Sequence, residues 1–159
     1  MKRITVPIAL CLIAALVAID QIIKSLVERS MELGEAIEVL PFLALLRAHN
    51  DGVAFSMLGG VSHTTLIAIT TLIALGAFIY LTRSPLSETA LRLGLSLIIG
   101  GAMGNIIDRI QHAYVIDYIY FHTPVWSFAI FNLADVFISL GAALILVDEI
   151  LLKPSRKTN

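Results

Sequence analysis

Long apolar runs alternate with short polar segments along this chain. Four runs of about 20 mostly apolar residues are each long enough to cross a bilayer as a helix. They lie at approximately 4–27, 62–81, 89–110 and 131–152. The pattern predicts a mainly α membrane protein with four transmembrane helices in a single domain, 1–159.

Two of the connecting segments carry patterns of their own. Within 28–61, IEVLPFLALL is strand-like on both sides of Pro41, and Asn-Asp-Gly at 50–52 is typical of a turn. We expect a small β-rich lobe there, outside the cytoplasm. The segment 111–130 is rich in Tyr, Phe and Trp, which favour the membrane–water interface, so an interfacial segment is predicted.

The distribution of Lys and Arg predicts the orientation. If both termini are cytoplasmic, seven of the eleven basic residues lie inside and four lie outside, as the positive-inside rule favours. The first apolar run lacks a small-x-small cleavage site, which indicates a retained helix rather than a cleaved leader.

Composition supports the membrane class and excludes several functions. Hydrophobic residues make up 58% and charged residues 14%, against roughly 25% charged in soluble domains. A net charge of -1 provides no general attraction for nucleic acid. Cys11 is the single cysteine, and the four histidines form no HExxH pair. We therefore expect no metal and no cofactor.

Polar and charged residues, which are costly to bury in a membrane, lie together at one end of the predicted helices. The first and third spans end outside and the fourth begins there, so their polar residues meet at one depth. They are Asp20, Gln21 and Lys24 on the first span, Asn105, Asp108 and Arg109 on the third, and Asn132 and Asp135 on the fourth. Ionisable residues within a membrane indicate function by default, although contacts between helices are the alternative.

The spacing within each span supports this convergence. Asp20 and Lys24 stand four residues apart and can pair on one helix face. Gly100 and Gly104 form a GxxxG pattern that permits close approach of another helix. Asp117, the lone acid of the aromatic segment, is a possible partner for a second carboxylate at the same depth.

Taken together, five short motifs resemble the bacterial lipoprotein signal peptidases, also called signal peptidase II. The motifs stand in the family's order along nearly the whole chain. They are DQIIK at 20–24, HNDGVAFS at 49–56, GNIIDR at 104–109, VIDYI at 115–119 and FNLAD at 131–135.

The resemblance implies an aspartyl endopeptidase of the bacterial inner membrane. Such an enzyme removes signal peptides from prolipoproteins, cleaving before a diacylglyceryl-modified cysteine near the outer leaflet, in contact with membrane lipids. Asp117 and Asp135 match the catalytic pair. The residues expected to support catalysis or substrate binding are Asp20, Lys24, Asn50, Gly52, Asn105, Asp108, Arg109 and Asn132.

Three positions depart from the family's pattern without touching the pair. Ala113 replaces a usual glycine, which matters if the backbone there needs positive φ. Tyr118 replaces a phenylalanine, and Asp51 occupies a variable position.

Three other functions remain as alternatives. A proton-coupled transporter would carry polar residues on towards the cytoplasmic side, where these spans become apolar. A non-enzymatic scaffold would tolerate Asp→Asn changes at both acids. A serine peptidase would need a serine–lysine pair at the outer rim, and the sequence offers none in a convincing setting.

Overall fold

The computed structural model describes residues 3–52 and 62–152. In this part of the chain four helices accompany a four-stranded antiparallel sheet. The helices are α1 (Val6–Ser30), α2 (His63–Arg83), α3 (Thr89–His112) and α4 (Leu133–Val147), the last continued by a π-helical turn, Asp148–Leu152. The strands are β1 (Ala36–Leu40), β2 (Leu43–Asn50), β3 (Val115–Thr123) and β4 (Trp126–Ser127).

Three of the described helices, α1, α2 and α3, are long and apolar enough to cross a membrane. All three were predicted, with ends that differ by a few residues. Helix α4 has 15 residues, or about 22 Å at 1.5 Å per residue, which is less than a hydrocarbon core of roughly 30 Å. The number of spans therefore stays a prediction at four.

Glycines let two neighbouring helices approach α3 closely. A Cβ added at Gly100 would come within 2.9 Å of Leu16 on α1, which confirms the close approach that the GxxxG pattern predicted. On the other side, a Cβ at Gly141 of α4 would lie 2.5 Å from the carbonyl oxygen of Gly94. Helix α3 is thus packed between α1 and α4.

The helix ends away from the site are joined by a buried arginine. Arg92 is 1% exposed and donates hydrogen bonds to the carbonyl oxygens of Ile4, Leu81 and Ser84. These bonds compensate much of the cost of burying a cation and connect the start of α1 to the end of α2.

The sheet is larger than the sequence predicted. Its order is β1-β2-β3-β4. The strand-like residues on both sides of Pro41 are strands, as expected, and β1 and β2 pair as a hairpin around this proline. No strand was predicted within the interfacial segment 111–130, yet β3 lies there and pairs with β2, with Asp117 opposite Ala48. Val, Ile and Tyr favour strands as well as interfaces, and pairing satisfies the backbone of both strands. Of the predicted lobe, 53–61 lies outside the described residues.

A left-handed residue ends α3 and turns the chain into β3. Ala113 has φ 65 and ψ 8, and its N–H donates to the carbonyl of Arg109 at 3.1 Å. This is the position where the resemblance led us to expect glycine. Among the described residues Ala113 is the one non-glycine residue with positive φ, so the backbone keeps the turn despite the side chain's steric cost.

Candidate active site

Two aspartates from different elements face one site. Asp117 lies on β3 and is 2% exposed, and Asp135 lies in the first turn of α4. Asp135 borders an apolar cavity of about 310 Å³ that Phe128, Phe131 and Leu140 also line. One carboxylate is therefore enclosed by protein, while the other is reached from an apolar cavity.

The carboxylate of Asp117 is held by two amides. Asn50 Nδ2 donates to Oδ2 at 2.9 Å, and Asn132 Nδ2 donates to Oδ1 at 2.6 Å. Burial raises the pKa of Asp117 to about 6, the charge of Asp135 acts in the same direction, and the two amide hydrogen bonds oppose the rise. Asp117 thus titrates close to neutral pH.

A turn after β2 fixes which end of the Asn50 amide faces Asp117. The backbone N–H of Gly52 donates to Asn50 Oδ1 at 2.8 Å, which leaves Nδ2 for the carboxylate. Gly52 has φ 82, and a Cβ there would lie 2.6 Å from Leu66 Cδ1. The positive φ favours glycine at this position, and any larger residue would also have to displace the end of the Leu66 side chain.

The carboxylate of Asp135 is held by α3 and by its own helix end. Asn105 Nδ2 donates to Oδ1 at 2.8 Å, and the backbone N–H of Asn132 donates to Oδ2 at 3.3 Å. In return, Asn132 Oδ1 accepts from the Asp135 N–H at 3.0 Å, which completes a capping box.

The same two asparagines connect the aspartates. Asn132 Nδ2 also donates to Asn105 Oδ1 at 3.3 Å. A continuous hydrogen-bonded path therefore runs from Asp117 through Asn132 and Asn105 to Asp135. Sequence spacing placed Asn132 near Asp135, but it did not show that Asn132 also reaches Asp117.

Side chains satisfy the first three N–H groups of α4. Each would otherwise lack an intrahelical partner. The N–H of Leu133 donates to the Tyr118 hydroxyl at 3.3 Å, that of Ala134 to Asp20 Oδ1 at 3.0 Å, and that of Asp135 to Asn132. Tyr118, a departure from the family's phenylalanine, thus supplies one of these partners.

A buried ion cluster lies behind the two aspartates. Lys24 Nζ lies 2.8 Å from Asp20 Oδ2, which confirms the predicted pair, and 2.8 Å from Asp108 Oδ2, which was not predicted. Each of the three side chains is at most 1% exposed. Lys24 also donates to Asn105 Oδ1 at 3.0 Å.

Gln21 also belongs to this cluster; it was predicted among the polar residues at the end of the first span but not among the residues that support catalysis or substrate binding. Its Nε2 donates to Asp108 Oδ1 at 2.7 Å and to the carbonyl of Gly104 at 3.2 Å. Its position beside Asp20 and three residues before Lys24 was the available signal.

Arg109 lies beside the aspartates without being part of the path between them. Its guanidinium is half-buried, donates to the carbonyl of Asn105 at 3.5 Å, and interacts electrostatically with Asp135 and Asp117.

The fold and site together define a membrane protein with two neighbouring aspartates, a class able to carry out acid–base hydrolysis. Comparison with known proteins is consistent with that class. The family model described as Signal peptidase (SPase) II matches residues 12–151. The lipoprotein signal peptidase of Mesorhizobium japonicum is 52% identical over 145 residues, 91% of this chain and 86% of that protein. That of Brucella ovis is 51% identical over 152 residues, 95% of this chain and 94% of that protein.

A solved structure has the same fold. A bacterial membrane enzyme determined by the in meso method at 1.9 Å resolution superposes with a TM-score of 0.84 at 27% identity, covering 95% of this chain and 97% of that one. The chain belongs to the signal peptidase II family, the aspartic peptidases that process bacterial lipoproteins.

Proposed function

We propose that this protein removes signal peptides from prolipoproteins by cleaving before a diacylglyceryl-modified cysteine, with Asp117 and Asp135 as the catalytic pair. The observation that carries the proposal is the path through Asn132 and Asn105, which holds the two carboxylates of separate elements in one site.

In the proposed reaction the two aspartates share one proton, since neighbouring carboxylates do not both ionise readily. The ionised carboxylate takes a proton from water, whose oxygen attacks the scissile carbonyl carbon. The protonated carboxylate donates to the carbonyl oxygen and gives a gem-diol. Collapse of the gem-diol transfers a proton to the leaving amine and breaks the C–N bond. No metal, cofactor or covalent intermediate is needed.

The cavity beside Asp135 supports a lipidated substrate. Phe128 and Phe131 line this cavity and also a second one of about 430 Å³, whose other lining residues include Phe121 and Trp126. Acyl chains suit such walls, because each buried methylene contributes roughly 0.8 kcal/mol. The lipid would hold the adjacent peptide bond at the depth of the aspartates.

The proposal includes the arrangement in the membrane. Four spans, two cytoplasmic termini and a site near the outer leaflet of the bacterial inner membrane, all in one domain of 159 residues, remain our interpretation of the sequence. In support, the C-terminal parts of α1 and α3 meet the N-terminus of α4 through Lys24, Asn105 and Asn132.

The remaining polar residues have proposed roles of support. Asn50, Asn105 and Asn132 would orient the two carboxylates, as their hydrogen bonds suggest. Arg109, beside the pair, has a planar fork suited to backbone carbonyls of the substrate or to lipid head-group oxygens.

The test is cleavage of a diacylglyceryl-modified prolipoprotein by purified protein in lipid, with a metal chelator present. We expect Asp117→Asn and Asp135→Asn each to fold and to lose at least about a thousandfold in kcat, because each removes a proton-transferring group. Asp51→Asn is the matched control, since Asp51 is exposed outside the network; it should cleave at the wild-type rate. Near-normal activity of either pair variant would disprove the dyad, and failure of the wild type on this substrate would disprove the substrate class.

A further inference from the structure

Lys24 stands at the centre of the polar residues rather than at their margin. Its ammonium has three N–H donors, and the structure uses all three, towards Asp20 and Asp108 at 2.8 Å and Asn105 at 3.0 Å. The side chain is 1% exposed. A buried lysine with every donor engaged has little freedom to move, so the groups around it are held in fixed positions.

The bond to Asn105 determines which way that amide points. Asn105 Oδ1 accepts from Lys24 at 3.0 Å and from Asn132 at 3.3 Å, so Nδ2 is turned towards Asp135 at 2.8 Å. A flipped amide would place its NH₂ against the ammonium and its oxygen against the carboxylate. Both contacts would be repulsive.

The other two partners of Lys24, Asp20 and Asp108, each accept a hydrogen bond from a backbone N–H group. These N–H groups belong to the residues immediately before the two proposed catalytic aspartates. Asp20 Oδ1 accepts from the N–H of Ala134, the residue before Asp135. Asp108 Oδ2 accepts from the N–H of Ile116, the residue before Asp117, at 3.2 Å. The two carboxylates that hold these N–H groups are themselves held together by one cation.

We propose that Lys24 is a positioning residue for the peptidase reaction, which fixes the Asn105 amide as a donor to Asp135 and holds Asp20 and Asp108 against the backbone before each aspartate. The inference rests on the proposed function of Asp117 and Asp135. It differs from a general stabilising role, because a stabilising ion pair would not require the Asn105 amide to keep one orientation.

The charge balance of the cluster determines the variant to make. Lys24→Met alone would leave Asp20 and Asp108 buried without a cation, which is strongly destabilising. Lys24→Met with Asp108→Asn keeps the formal charge of the cluster at -1, and the new asparagine still offers an acceptor to Ile116. The Lys24 contact to Asn105 is lost all the same.

Gln21→Met is the matched control. Gln21 donates to Asp20 and Asp108, as Lys24 does, and its other bond goes to the carbonyl of Gly104 rather than to Asn105. A purely structural role for the cluster predicts similar effects of both changes on catalysis.

Two measurements on the full chain in lipid test the proposal. The first is the kcat, KM and pH profile for cleavage of a lipidated prolipoprotein. The second is the side-chain amide signal of Asn105 in ¹⁵N-asparagine-labelled protein, assigned by its loss in Asn105→Ser. Thermal melting establishes that each variant is folded at the temperature used.

For the double variant we expect kcat to fall at least about tenfold with KM within about threefold, and faster exchange of the Asn105 amide protons. Gln21→Met should melt lower, with the Asn105 signal and kcat little changed.

A folded double variant with wild-type kcat and an unchanged Asn105 signal would overturn the proposal. So would equal losses in Gln21→Met. If the wild type cleaves no lipidated prolipoprotein while the Asn105 signal still depends on Lys24, the proposed function fails and the positioning role stands.

Discussion

At the scale of single residues, Asp117 combines a proposed catalytic role with a cost to stability. Burial raises its pKa from an ordinary 3.8 to about 6, so the folded protein binds this proton more tightly than the unfolded chain does. The contribution to folding is most favourable below pH 3.8 and is lost as the pH rises through about 6. The loss is on the order of 3 kcal/mol at most.

Asp117→Asn should therefore melt higher than the wild type at about pH 8, and the advantage should shrink towards about pH 5. Asparagine resembles the protonated acid and carries no charge to desolvate. Thermal melting across this range measures the effect, with Asp51→Asn as the control that should follow the wild type. Parallel curves for wild type and Asp117→Asn would show that burial of this charge does not limit stability.

At the scale of elements, the N-terminus of α4 decides where Asp135 points. Its first three N–H groups are bound by side chains from β3, α1 and the cap residue Asn132. The capping box alone would orient Asp135, so the Tyr118 hydroxyl adds stability more than geometry.

We expect Tyr118→Phe to destabilise the protein by about 0.5–1.5 kcal/mol, because the N–H of Leu133 loses its partner, while kcat stays within a few-fold of the wild type. Tyr120→Phe, on the same strand, serves as the control. Thermal melting and cleavage assays measure both. A tenfold loss of kcat in Tyr118→Phe at unchanged melting temperature would instead make Tyr118 part of the catalytic geometry.

The elements also show how far the sequence could predict this molecule. Apolar runs of this length must be helices in a bilayer, so the helices were predictable, as were strands on both sides of Pro41 and the Asp20–Lys24 pair. Strand β3 was not, because its aromatic and β-branched residues suit an interface equally well and its partner β2 lies some 70 positions earlier. Asp108 pairs with Lys24 across two helices. The rotation of one helix relative to the other decides such a contact, and it cannot be deduced from the residue pattern of either helix.

At the scale of the whole molecule, polar and apolar parts are separated along the helices. The ion cluster and both aspartates lie where α1, α3 and α4 meet the sheet. Outward-facing side chains of α1 and α2 are large and apolar, among them Ile22, Leu26, Leu72 and Ile73. Such a surface suits lipid, and it places the polar site at one depth.

This separation leads to a prediction about orientation. With two cytoplasmic termini, β1 and its neighbours face outward, while the loop between α2 and α3 faces the cytoplasm. Glu35 and Ser87 are exposed residues on these two sides. In a Cys11→Ser background, a membrane-impermeant maleimide should label Glu35→Cys in intact cells. It should label Ser87→Cys only after permeabilisation, because the reagent cannot cross the bilayer.

Equal labelling of the two variants after permeabilisation controls for thiol reactivity. The reverse pattern in intact cells would invert the orientation and place Asp117 and Asp135 on the cytoplasmic side, which would contradict the proposed site near the outer leaflet.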